Sequence, residues 1–151
     1  MTVRKKLLGE WRGRLSKVTV PERNTAVLAE LQSLRERVPR LTGSLVASSD
    51  GMLIEHDLPP HIEPAGMAAM AAAQLALSYR LATTAHGGGF NEVVVLGSEG
   101  QVVIYAAGYT SLTVLAGPEV NVGRLHLESR PVARGLAQPK GGTHHPQEKY
   151  R

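Results

Sequence analysis

The stretch Pro64-Ala65-Gly66-Met67-Ala68-Ala69-Met70-Ala71-Ala72-Ala73-Gln74-Leu75-Ala76-Leu77-Ser78-Tyr79 holds no ionisable side chain except Tyr79 at its end. At 100° per residue its apolar groups run all the way round a helix. Met67, Met70 and Leu77, with Gln74 among them and Leu81 beyond, take one face, and Ala68, Ala72, Leu75 and Tyr79 take a second. Ala69, Ala73 and Ala76 take the third, which meets a charge only at Arg80. A helix apolar on every side must be covered on every side. The run is alanine-rich and falls short of the ~20 predominantly apolar residues of a membrane span, so protein is the expected cover. Pro64 suits a first helical turn, Glu63 stands at the positive end of the dipole, and His86-Gly87-Gly88-Gly89 ends the helix. One sheet covers only one side of such a helix. A second copy approaching along Ala69, Ala72, Ala73 and Ala76 would cover the rest, with Val93, Val94 and Val95 as an edge strand for sheet extension. The chain is therefore expected to be a homodimer.

Working outward, Leu41, Leu45 and Ala47 alternate with Thr42, Ser44 and Ser48, and Met52–His56 follows the pair Asp50-Gly51. Two strand-like runs around Asp-Gly read as a hairpin, because that turn needs positive φ. Upstream, Val27, Leu31, Leu34 and Val38 recur at helical spacing over about residues 22–38, and Pro39 stops the helix. Downstream, the runs Glu92–Leu96, Gln101–Ala106 and Leu112–Ala116 are joined by short Gly-containing links, which predicts an antiparallel meander. A final helix is expected over about Val120–Ala137, with Pro131 kinking or splitting it. The order is helix, two strands, helix, three strands, helix. One five-stranded antiparallel sheet with helices on both faces, an α+β sandwich, satisfies it.

The 151 residues suit one domain, residues 21–138, preceded by a basic N-terminal arm (residues 1–20) and followed by a polar tail (residues 139–151), of which the tail is expected to be disordered. Residues 1–40 hold ten basic and four acidic side chains, or +6, whereas residues 41–138 hold four basic and eight acidic, or −4. The basic charge thus sits at the ends rather than on a folded face, and aromatics are only 4%, so no nucleic-acid partner is expected. In the arm, Val3, Leu7, Leu8, Trp11, Leu15 and Val18 share an arc of roughly 140° at 100° per residue, on which Arg4 and Arg14 intrude. This basic amphipathic pattern reads as contact with an anionic membrane or a partner, or else as a helix packed on its own domain or a frayed arm. No secretory signal pattern is present, so a cytoplasmic location is expected. The excess of Arg over Lys and the abundance of Ala and Gly suit a GC-rich bacterial genome.

No catalytic constellation emerges. His86-Gly87-Gly88-Gly89-Phe90 looks like an oxyanion-hole segment, but Gly97-Ser98-Glu99-Gly100 has the wrong spacing for a nucleophile elbow and sits in a predicted turn. No phosphate-binding loop is present, so no nucleotide is expected to bind. Cysteine is absent, and His56, His61, His86 and His126 lack metal-ligand spacing. Neither cofactor nor metal is expected. Asp50, Glu55 and Asp57 read as a turn former and solvent-side charges of the first hairpin.

Gly43–Met52 resembles the first hairpin of the Roadblock family of dynein light chains and its bacterial relatives, and Ala68–Ala85 resembles the family's long small-residue helix. Asn91–Val95, Tyr109–Ala116 and Asn121–Leu125 are similar to its third strand, fifth strand and last helix start. The resemblance covers about residues 22–138, and Pro131 departs from the family's usually unbroken final helix. It implies a profilin-like, Roadblock architecture and a homodimer. It further implies a non-enzymatic regulator or scaffold of a small Ras-like GTPase, similar to gliding-motility regulators. The alternative is an adaptor in a multiprotein or membrane-proximal signalling complex with no effect on GTP hydrolysis. Tyr79, Arg80 and Thr83, where the apolar run turns polar, are then the expected partner contacts, and Arg80 or Arg124 would be the arginine offered to a GTPase site.

Overall fold

A computed structural model describes residues 23–138, so the expected arm and tail lie outside the described residues. In chain order the elements are α1 (Thr25–Arg37), β1 (Leu41–Ser48), β2 (Leu53–Asp57), α2 (Pro64–His86), β3 (Glu92–Gly97), β4 (Gly100–Ala107), β5 (Thr110–Ala116) and α3 (Val122–Ala137). The five strands form one sheet in the order β2-β1-β5-β4-β3. Every neighbouring pair is antiparallel. β2 and β3 are its edges.

Local chemistry sets the boundaries. Asn24 Oδ1 accepts from the Val27 amide at 3.2 Å and caps α1. The Glu63 carboxylate accepts from the Ala65 and Gly66 amides, at 3.0 and 2.5 Å, and caps α2 one residue before Pro64. Gly51 takes φ 91°, which the tight turn between β1 and β2 requires. Its bare Cα has a second use, because a Cβ there would lie 3.4 Å from the Ala69 Cα of α2. The helix therefore sits low on the sheet, and small residues face inward: Ala68, Ala71, Ala72 and Ser78 are buried.

α1 and α3 cover one face. Val27, Leu31 and Leu34 of α1 and Leu125 and Ala133 of α3 pack on Val46, Val103, Tyr105, Leu112 and Val114. α2 covers part of the other, where Ala68 meets Leu45 and Ala47, flanked by Leu53, Leu58 and Met67. The β1–β5 register shifts between Leu41 and Gly43. That bulge reverses the alternation, so Leu41 joins the α1–α3 core while Leu45 and Ala47 point to α2.

Two expectations are corrected. Glu55 is not a solvent-side charge: it is 3% exposed, and its Oε1 accepts from Arg23 Nη2 and from the His56 amide, both at 3.0 Å. Asp57 is likewise covered, with Arg35 Nε 3.1 Å from its carboxylate. Both point to the α1 side, and no periodicity within β2 announces that α1 brings arginines over it. Pro131 does not split the last helix, which runs unbroken from Val122 to Ala137. The proline withholds one N–H from the Leu127 carbonyl, but Leu127 is 70% exposed, so water reaches that group, and Leu125 and Ala133 hold both halves on the core.

Candidate interaction surface

The outer half of α2 is apolar and exposed. Met70, Leu77 and Leu81 are 63%, 64% and 74% exposed. Their spacing of seven and four residues puts them on one stripe. Ala69, Ala73 and Ala76 lie exposed along its flank. Ala72, grouped with them from sequence, is instead turned inward toward Gly51. The helix is apolar on both sides, and a single chain covers only one.

The C-terminal half of α2 stands beside the β3 edge. The Phe90 ring, just before β3, meets Tyr79 edge-on with centroids 6.5 Å apart. Along β3 the pairing alternates: Val94 opposes Val103 and faces the α1–α3 side, while Val93 and Val95 oppose Ile104 and Val102 and face the α2 side. Val94 and Val95 are exposed and Val93 is half-buried. The flank of Ala69, Ala73 and Ala76 therefore lies between Tyr79, which meets the start of β3, and the Met70–Leu77–Leu81 stripe, which is turned away from Phe90.

Of the expected partner contacts, Tyr79 and Arg80 are exposed and Thr83 is half-buried. The Thr83 hydroxyl donates to the Tyr79 carbonyl at 2.8 Å, which occupies it within its own helix. Arg124 is committed elsewhere: its Nε donates to the Arg37 carbonyl at 2.7 Å and caps the end of α1. Arg80 also lines a cleft of about 580 Å³ between α2 and the sheet, with Leu75, Tyr79, Phe90 and Ser111.

A polar cluster at the start of β3 has no counterpart in the sequence expectations. Glu92 accepts from Arg130 Nη2 at 2.5 Å and Nε at 3.1 Å. The Tyr105 hydroxyl lies 2.7 Å from His126 Nδ1. The Arg130 pair lowers the Glu92 carboxyl from its ordinary value against the opposing effect of burial, and burial pushes the Tyr105 phenol up to about 12. A phenol held neutral to that pH is no base or nucleophile near pH 7. The cluster clamps α3 to the sheet. Ser98 lies in the turn between β3 and β4, not on a strand-to-helix elbow. Among the described residues no group of three or more His, Cys, Asp or Glu is placed to hold a metal ion, and no helix is long and apolar enough to cross a membrane.

A five-stranded antiparallel sheet with one long helix on one face and two on the other defines a Roadblock-type, profilin-like α+β fold. Residues 27–116 match the Roadblock/LC7 domain, and the chain belongs to that family. An uncharacterized protein of Methanocaldococcus jannaschii is 28% identical over 107 residues, 71% of this chain and 87% of its own length. The Roadblock/LC7 domain from Streptomyces avermitilis is 27% identical and superposes with a TM-score of 0.66, covering 72% of this chain and 92% of that one. The gliding protein MglB from Thermus thermophilus, 17% identical, shares the fold with a TM-score of 0.65 over 74% of this chain and 85% of its own. MglB has also been solved in a tetrameric arrangement.

Proposed function

We propose that this chain is a homodimeric, non-enzymatic regulator or scaffold of a small Ras-like GTPase. The observation that carries the reading is the exposed apolar outer stripe of α2, Met70, Leu77 and Leu81, in a molecule whose sheet also ends in a free β3 edge. Fully burying each such side chain contributes about 1.5–3 kcal/mol, and a twofold interface counts each one twice. The alanines at 69, 73 and 76 leave room for a second helix to lie close. Membership of the Roadblock/LC7 family supports a partner-binding rather than a chemical role, and the tetrameric arrangement of MglB supports self-association.

A GTPase would meet the exposed end of the α2 pair at Tyr79, Arg80 and Thr83, since the inward half of the helix is committed to the core. Copurification with a GTPase, then hydrolysis with and without this protein, tests the reading. The dimer should bind in a nucleotide-dependent way without binding GTP itself. If Arg80 enters the partner's active site, Arg80→Ala should cut stimulated hydrolysis by ~10³-fold while binding persists. If the dimer reorders the partner's switch segments, binding and stimulation should fall together and modestly. Binding that leaves hydrolysis unchanged makes the protein a scaffold. If no small GTPase binds in either nucleotide state, the reading fails and an adaptor in another complex replaces it.

A further inference from the structure

Between α1 and α3, on the side of the molecule away from α2, runs an open groove of about 420 Å³. Its floor is apolar: Val27 of α1 is 5% exposed, and Val132 and Leu136 of α3 are partly covered at the margin of the core. Ala26, Glu30 and Arg37 line one wall, Arg37 being already paired with Glu128, and Pro131 and Gly135 line the other. The two helices run antiparallel, since Arg37 at the end of α1 pairs with Glu128 in the first half of α3. The groove's mouth therefore lies at the start of α1, where residues 1–22 join the described chain.

We infer that this groove holds residues 1–20 of the same chain as a helix laid back along α1. The arm has one apolar stripe, Val3, Leu7, Leu8, Trp11, Leu15 and Val18, and a stripe of that kind needs an apolar surface. Gly9 and Gly13 each weaken an isolated helix by about 1 kcal/mol, so this helix depends on what it lies against. The lengths agree, because Val3 to Val18 spans roughly 24 Å at 1.5 Å per residue and α1 roughly 20 Å. The link through Pro21 suffices for neighbouring helices ~8–10 Å apart. Finally, a hairpin about Pro21 sets Arg12 and Arg14 level with Glu30, the acid in the groove wall. Seated there, the arm leaves α2 and β3 free, so the inference stands apart from the dimer and the GTPase.

Trp11 is the only tryptophan of the chain, so the fluorescence of the full-length protein reports the arm directly. In buffer, its emission should be blue-shifted from that of free tryptophan and shielded from acrylamide. Gly135→Arg should reverse both, because it fills the groove and adds a positive charge that the arm must meet. A Cβ at Gly135 meets nothing within 4 Å, and arginine improves on glycine within a helix, so the fold should hold. The chain has no cysteine, which makes a second readout clean. Leu15→Cys with Gly135→Cys should oxidise to a species of single-chain mass. Exposed emission in buffer overturns the inference, and a blue shift only with anionic phosphatidylglycerol vesicles assigns the arm to a membrane instead. A shift that Gly135→Arg leaves unchanged, or a disulfide that links two chains, overturns the placement as well.

Discussion

The two faces of the sheet are finished differently. On the α1–α3 face, Leu31, Leu34, Val103, Leu112, Val114 and Leu125 are fully covered within one chain. Ion pairs rim that face: Arg23 with Glu55, Arg35 with Asp57, Arg37 with Glu128 and Arg130 with Glu92. On the other face, among the described residues, α2 contributes no ion pair and turns Met70, Leu77 and Leu81 to the outside. Those pairs sit at the margin of a core already covered within one chain, and a second chain burying them would have to desolvate each one. An uncharged apolar helix makes no such demand. One face holds the protomer together, and the other is left apolar and open, as the proposed dimer requires.

The largest expected effect breaks the first face. Leu31→Ala should cost about 2–5 kcal/mol in urea unfolding, the range for emptying a buried leucine site. A loss under ~1 kcal/mol would show that the α1 side is not the structural core. Leu77→Glu comes next and addresses the second face. It should raise the dimer dissociation constant at least ~100-fold, because two unpaired carboxylates would be buried per twofold interface. The protomer, in which Leu77 is already exposed, should keep its fold by circular dichroism. Ala73→Glu should act in the same direction.

Acid distinguishes the faces more finely. Burial raises the Glu55 carboxyl, but its bonds to the His56 amide and to Arg23 outweigh burial and hold it below 4.5, and Arg130 holds Glu92 low in the same way. A depressed carboxylate contributes stability that is fully present above its unfolded value and lost as the pH falls through the folded one. Protomer stability should therefore decline on titration below about pH 4.5. If the proposed dimer rests on the uncharged side chains of α2, its constant should stay flat between about 50 and 500 mM salt near pH 7. A dimer that weakens steeply with salt would move the interface to a charged surface. The smallest effect belongs to Arg124→Ala, which removes an exposed bond to the Arg37 carbonyl and should cost no more than about 1 kcal/mol.

Most of this architecture is legible in the residues themselves. Asp50-Gly51 announces the first hairpin, Glu63-Pro64 the start of α2, and three β-rich runs with short links the meander that leaves β3 at an edge. The facing of α2 is not legible for a physical reason. Where every side of a helix is apolar, periodicity has no phase, so Ala72 and Ala73 look alike although one is buried and the other exposed. The deciding feature lies elsewhere in the chain, at Gly51, whose missing Cβ draws Ala69 and Ala72 down onto the sheet. The same holds for Glu55 and Glu92. Each is covered by an arginine more than thirty residues away in sequence, and no local pattern reports that meeting.

The central claim is that the exposed apolar face of α2 is covered by a second copy of this chain. Static light scattering of the full-length protein at micromolar concentration tests it most directly. Twice the chain mass is expected, reverting to the single-chain mass in Leu77→Glu. A wild-type protein that scatters as a single chain across that range would contradict it.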